Sequence, residues 1–135
     1  MKSQQPFDIE VLLRALADRT RLRLLNLIDD KEVCVCFFVE ILKTSQLKIS
    51  RHLAYLRRAG IVSARRDGKW MHYRITQPSD VVAKRMLGDV RNWLKSDPAM
   101  VRERKRLEGI CCGSIAPVHL LQAPQPVEYK RSMNP

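Results

Sequence analysis

At 135 residues the chain has room for one domain with a modest core and not for two independent ones. Its 45% hydrophobic and 29% charged residues exclude a disordered chain, and no stretch approaches the length that crosses a bilayer. A formal charge of +11 points to a polyanionic partner. The opening segment lacks an apolar run before a small-residue cleavage site, so a cytoplasmic protein is expected.

Leu12, Leu13, Leu16 and Ala17 fall at helical spacing, and Asp18 closes this first helix. Thr20 is a cap for a second helix that places Leu24, Leu27 and Ile28 on one face. A third, short helix is expected over about 36–43, with Phe37, Phe38, Ile41 and Leu42 apolar. Ser45 then caps a fourth, which ends at Gly60 in the left-handed position that glycine tolerates. The link between the third and fourth helices, Lys43–Ser45, has the length of a helix-turn-helix corner.

After Gly60 the pattern alternates. Val62, Ala64, Met71 and Tyr73 share one face of a hairpin, with Asp67-Gly68 as its turn. That turn pairs Arg66 with Lys69 and sets three cations, Arg65, Arg66 and Lys69, at the tip. A fifth helix spans roughly 79–95. Its stripe of Val82, Met86, Val90, Trp93 and Leu94, widened by Leu87, exceeds what the remaining elements can cover, so a subunit interface shared with the first helix is expected. Asp97-Pro98 starts a last helix, capped by Gly109. Beyond Gly113 the tail carries Pro117, Pro124, Pro126 and Pro135 and reads as irregular. The expected division is a DNA-binding and dimerisation domain over 1–108 and a flexible tail over 109–135.

The charge is concentrated. Between Lys43 and Arg74 nine basic residues stand against one acidic residue, Asp67, and they coincide with the fourth helix and the hairpin. On the fourth helix Ile49, Leu53 and Leu56 cluster on the core side, while Arg51 and Arg58 point the opposite way. The N-terminal half of such a helix enters the major groove of double-stranded DNA, where arginine pairs with guanine. Gln46, Lys48, Ser50 and Arg51 are therefore the candidates for base or nearby phosphate contact. His52 lies closer to the core edge, as a structural hydrogen-bonder or a phosphate contact. Arg65, Arg66 and Lys69 of the wing would grip flanking backbone and add affinity rather than sequence information.

Four cysteines fall as two close pairs, Cys34/Cys36 and Cys111/Cys112, a metal or redox pattern rather than a disulfide framework in an unsecreted protein. Thiolates select soft acceptors. A soft trivalent acceptor takes three sulfurs in a pyramid, whereas structural zinc takes four ligands, often from wider C-x₂₋₄-C pairs. Residues two apart face each other in extended chain and not on a helix, so joint use of Cys34 and Cys36 calls for a distorted or unwound start to the third helix. Because that helix buttresses the fourth, ligand capture and DNA geometry are mechanically joined. Cys111 and Cys112 sit between Gly109 and Gly113 as a source of a further sulfur, or as an idle pair. A bridge between them would be strained.

Together the runs ALADRTRLRLLNLI, EVCVC, SQLKISRHLAYLRRAGIV and RRDGKWMHYRI resemble the ArsR/SmtB family of metal-responsive repressors, over about residues 10–95. The resemblance implies a mainly α winged helix-turn-helix fold with a small β-hairpin wing. It also implies a homodimer reading a palindromic operator, with half-sites about 34–36 Å apart. Leu47 replaces the proline common at its position. EVCVC is similar to the ELCVC box of the arsenic-responsive branch, which implies As(III) or Sb(III) as inducer at Cys34 and Cys36. The branch's third cysteine would stand at position 39, and here that residue is Val39. Phe37 and Phe38 replace its usual acidic-apolar pair. Methylated arsenite, needing only two thiolates, is a further candidate inducer. The family's zinc site on the fifth helix is not matched, because Asp89 is followed at +2 by Arg91 and 79–95 hold no histidine. Its cadmium/lead site is not matched either, because 1–33 hold no cysteine.

The expectation is a metalloid-responsive transcriptional repressor, not an enzyme, with no catalytic cofactor and no membrane partner. A thiol enzyme would need a phosphate-type loop or a C-x-x-C on a thioredoxin-like fold, and neither is in the sequence. A winged-helix DNA-binding protein with a structural zinc at the four cysteines, or with a thiol-redox switch, is the alternative.

Overall fold

The computed structural model describes residues 8–112, 120 and 122–128. Helices α1 (Ile9–Leu16), α2 (Arg19–Ile28), α3 (Val35–Leu42), α4 (Gln46–Arg58), α5 (Val81–Ser96) and α6 (Pro98–Cys112) surround a sheet of four short strands. These are β1 (Lys31–Cys34), β2 (Val62–Asp67), β3 (Trp70–Ile75) and β4 (Val127–Glu128), in the order β2-β3-β1-β4 with every neighbouring pair antiparallel. The fold is the expected winged helix-turn-helix. Among the described residues no helix is long and apolar enough to cross a membrane.

Helix starts follow the side chains that satisfy free amide groups. The Asp8 carboxylate accepts from the amides of Glu10 and Val11, that of Asp80 from Ala83, and the Ser45 hydroxyl from Lys48 at 3.2 Å. The second helix is capped by Asp18 and not by Thr20: Asp18 is extended and accepts from the Arg21 amide at 3.0 Å. An aspartate one residue before the helix outcompetes a threonine already inside it. Lys43 ends α3 in the left-handed region, φ 55°, and turns the chain directly into the Ser45 cap of α4.

Three elements depart from the expectations. The four residues Lys31–Cys34 form β1, whose central place in the sheet buries Glu32, Val33 and Cys34. The wing turn is Gly68-Lys69, one residue later than Asp67-Gly68, so Arg66 pairs with Met71 and Asp67 with Trp70. A turn with only its first residue left-handed, here Gly68 at φ 61°, places its single glycine well, whereas Asp67-Gly68 would need both residues left-handed. The new register shifts each partner by two residues, so Val62, Ala64, Met71 and Tyr73 still share one face. Finally, α6 does not stop at Gly109 but runs to Cys112. Leu107 and Ile110 are buried on either side of that glycine, and their packing outweighs the roughly 1 kcal/mol that glycine costs inside a helix.

One core joins Leu24, Leu25, Leu27 and Ile28 of α2 with Phe37, Phe38 and Ile41 of α3, Ile49, Leu53 and Leu56 of α4, and Leu87 and Leu94 of α5. α6 is fixed to it by polar clamps. Arg23 of α2 grips the Glu103 carboxylate with contacts of 2.5–3.1 Å. Buried Asn26 accepts from Arg104 and donates to the Met100 carbonyl at 2.9 Å. The tail is not wholly irregular: Leu120 and Ala123 are buried in the core, and β4 pairs with the edge β1 would otherwise leave open. Residues 113–119, with Pro117 among them, lie outside the described residues, as do 129–135.

Candidate functional site

The candidate nucleic-acid surface begins with the helix-turn-helix. Ile49, Leu53 and Leu56 anchor α4 inward, which turns Gln46, Lys48 and Arg51 to solvent and leaves Ser50 half-buried. The start of α4 is bordered by an open groove of about 310 Å³, lined by Thr20, Arg23, Leu42, Thr44, Lys48 and His52. Apart from Leu42 every lining side chain carries a hydrogen-bond donor; Lys48 is exposed, whereas Arg23 is already paired with Glu103. Such a lining suits a phosphate oxygen.

His52 is tied into the fold from its other side. The Arg21 guanidinium lies 3.2 Å from its Nδ1 and the Asp18 carboxylate 3.8 Å. The same arginine donates to the carbonyls of Arg14 and Ala15 at the end of α1 and lies over the Tyr55 ring, 4.4 Å from its centre. Arg21 therefore welds α1, α2 and α4 together, and His52 joins that network while its ring also lines the groove.

The wing cations do not act as one group. Arg66 and Lys69 are exposed, Lys69 resting 5.0 Å from the centre of the Trp70 ring. Arg65 instead donates from Nε and Nη2 to the buried Glu32 carboxylate at 3.1 and 2.7 Å. With burial opposing it, this pairing holds Glu32 below the usual carboxylate range, and Arg74 at 3.7 Å adds to it. Arg65 thus pins the wing to β1. The sequence offered no sign of this, because the acceptor lies 33 residues away on a strand that the pattern does not reveal.

The thiol site sits where β1 becomes α3. Cys34 is fully buried and still extended, with φ −69° and ψ 141°, as the residue capping α3, and Cys36 lies in the first turn. This is the break in helical geometry that the Cys-Val-Cys spacing required, made by a strand. The Cys36 thiol donates to the Cys34 sulfur across 3.0 Å. That hydrogen bond, aided by the backbone amides of Cys36, Met71 and Val35 against the effect of burial, brings the Cys34 thiol from its ordinary 9.0 down to about 7. Cys36 is pushed well up, by the same bond, by burial and by the charge on Cys34. The pair therefore loses its first proton around neutral pH and keeps its second, so that a substantial fraction of it carries one thiolate there, chiefly at Cys34.

The third and fourth cysteines ride on α6. Cys111 is half-buried against the core, and α6 packs on α3. The Cys112 side chain falls outside the described residues. Cys34 and Cys36 are brought together, and among the described residues no third His, Cys, Asp or Glu stands with them in a form ready to hold a metal ion. His72 was missed by the sequence reading. It pairs directly with Cys34 across β1 and β3 and with Arg65 across β2 and β3, and its buried Nε2 has no hydrogen-bond partner among the described residues, the Asp67 carboxylate lying 3.7 Å away. Only the strand register reveals that row.

Residues 18–64, from the cap of α2 into β2, match the family model described as bacterial regulatory protein, arsR family. The arsenic resistance transcriptional regulator ArsR1 of Pseudomonas putida is 41% identical over 98 residues, 69% of this chain and 77% of that protein. The chain belongs to the ArsR family. The arsenical resistance operon repressor of Escherichia coli is 48% identical over 66 residues, 48% of this chain and 56% of that protein. Among solved structures, HlyU from Vibrio cholerae superposes with a TM-score of 0.54 at 32% identity, covering 63% of this chain and 89% of that one. The Pseudomonas putida and Escherichia coli relatives are transcription regulators and not enzymes, and the ArsR-family fold is the one that α1–α6 and the hairpin wing build.

Proposed function

We propose that this protein is a homodimeric repressor that binds palindromic operator DNA and releases it when As(III) or Sb(III) is captured by Cys34, Cys36 and a third sulfur from the end of α6. Gln46, Lys48, Ser50 and Arg51 approach the major groove, His52 lies beside them at the phosphate groove, and Arg66 and Lys69 hold flanking backbone. Arg65 acts mainly through Glu32. Residues 1–108 carry DNA binding and dimerisation, and residues from 109 onward supply the third ligand, Cys111 or Cys112.

The observation that carries this reading is the 3.0 Å approach of the Cys34 and Cys36 sulfurs at the strand-to-helix junction. Each As–O bond of arsenous acid exchanges for an As–S bond, and the displaced hydroxide leaves as water with the thiol proton, or with a proton from solvent where the sulfur is already a thiolate. Two sulfurs already side by side favour the first two exchanges by proximity. The third must draw the end of α6 toward the start of α3. α3 packs directly on α4, so closing the thiol site tilts the recognition helix, and a dimer that must place two such helices on one duplex loses its fit.

X-ray absorption on the arsenite-loaded protein tests the ligand set. Three sulfurs per arsenic are expected in the native protein and two in the Cys111→Ser/Cys112→Ser variant. Three sulfurs in both would remove α6 from the site, and monomethylated arsenite should bind both proteins alike. The same sulfur contact also favours a second reading, a Cys34–Cys36 disulfide switch. That reading requires DNA release by a thiol oxidant without any arsenic, and stoichiometric zinc in the protein as purified under reduction would instead support a structural metal.

A further inference from the structure

Each residue of α4 advances about 100° around the helix axis. Ile49, Leu53 and Leu56 are fully buried and define the inward direction. Directly opposite stand Leu47, Arg51 and Arg58, with Ala54 beside them, all exposed. Leu47 and Arg51 are four apart, neighbours on one face of consecutive turns. The row that looks straight out of the recognition helix therefore begins with a leucine.

Leu47 leaves 61% of its surface exposed and is neither in the core nor among the apolar side chains packed on it. Among the described residues it adds nothing to the core, and a polar residue would serve solubility better at the second position of the helix. Its surroundings say what covers it. α4 carries Lys48, Arg51, Arg57 and Arg58 and no acidic residue over Gln46–Arg58, a setting suited to a polyanion. The apolar feature that a base pair presents in the major groove is the C5 methyl of thymine.

We propose that Leu47 is a specificity-determining residue whose side chain packs on a thymine methyl beside the guanine that Arg51 reads. The inference rests on the DNA-binding reading above. One helical turn separates the two side chains, a rise of about 6 Å, against about 3.4 Å between stacked base pairs. The thymine therefore lies within about two base pairs of the guanine, once in each half-site.

The test uses duplexes enriched from a random double-stranded library by the full-length protein. The guanine position is the one at which Arg51→Ala loses its preference. Each thymine is then replaced singly by deoxyuridine, which removes only the methyl. The native protein should bind about fourfold more weakly at one such position within two base pairs of that guanine, the worth of one buried methyl group. Leu47→Ala should lose this penalty and its thymine preference while keeping the guanine preference, the salt dependence and the melting temperature. A native protein indifferent to deoxyuridine near the guanine, or a Leu47→Ala variant that retains the penalty, overturns the inference and leaves the DNA reading standing. A library from which nothing is enriched overturns both.

Discussion

A pair of thiols that shares one proton titrates in two separated steps, and this makes the Cys34–Cys36 contact measurable without any metalloid. The ultraviolet absorbance of thiolate should show one group of the pair ionising around pH 7 and its partner only far above the ordinary range. In Cys36→Ala the first step should move upward, because the hydrogen bond that chiefly lowers Cys34 is gone while burial remains; an unchanged step would assign the thiolate elsewhere. The sign for stability follows from the same directions. Cys34, depressed in the folded state, adds stability as pH rises from about 7 toward 9 and loses it as pH falls back through 7. Cys36, raised, loses its contribution above the unfolded value of 9.0. The stability of the native protein relative to Cys34→Ser/Cys36→Ser should therefore rise between pH 7 and 9 and decline above, and a flat difference would contradict the shared proton. On the DNA side, Arg51→Ala should cost specific binding roughly 1–3 kcal/mol and relax preference at one base pair per half-site. Lys69→Ala should weaken specific and random duplexes alike. Equal losses on both duplexes for Arg51→Ala would reduce it to a phosphate contact.

At the scale of elements, what the sequence discloses is whatever has a period or a cap. The helix-turn-helix was legible because Ile49, Leu53 and Leu56 repeat at helical spacing behind Ser45, and the hairpin because its residues alternate. β1 was not legible, since four residues that run straight into the apolar Val35–Leu42 show no period. With β1 hidden, the Arg65–Glu32 pair and the Cys34–His72 row were hidden too. The fate of Gly109 turned on tertiary packing, which a local rule does not contain. The turn itself makes a sharp prediction. Gly68 is left-handed with open space where a side chain would go, so Gly68→Ala should cost only the backbone strain, about 1–2 kcal/mol. Gly88, helical and also unobstructed, should gain up to about 1 kcal/mol on the same substitution. Chemical denaturation of both variants checks the pair, and a larger loss at Gly88 than at Gly68 would contradict the turn assignment.

For the whole molecule, α5 divides its apolar residues between two tasks. Ala83, Leu87 and Leu94 are buried in the core, whereas Val82 and Trp93 remain 52% and 45% exposed, as do Ile9 and Leu13 of α1 at 41% and 46%. We expect this surface to join two copies. Val82→Asp/Trp93→Asp should sediment as a folded monomer with lost DNA affinity, and a variant that stays dimeric would place the interface elsewhere. A dimer that neutralises about 6–8 phosphates should bind with a log–log salt slope of about −5 to −7. We expect filling the thiol pair to free the DNA. Fluorescence anisotropy of the protein on a labelled duplex, titrated with arsenite, tests this directly. The native complex should dissociate, and Cys34→Ser and Cys36→Ser should bind the duplex equally well and remain bound at the same arsenite concentration. Release from both serine variants at the native midpoint would contradict it.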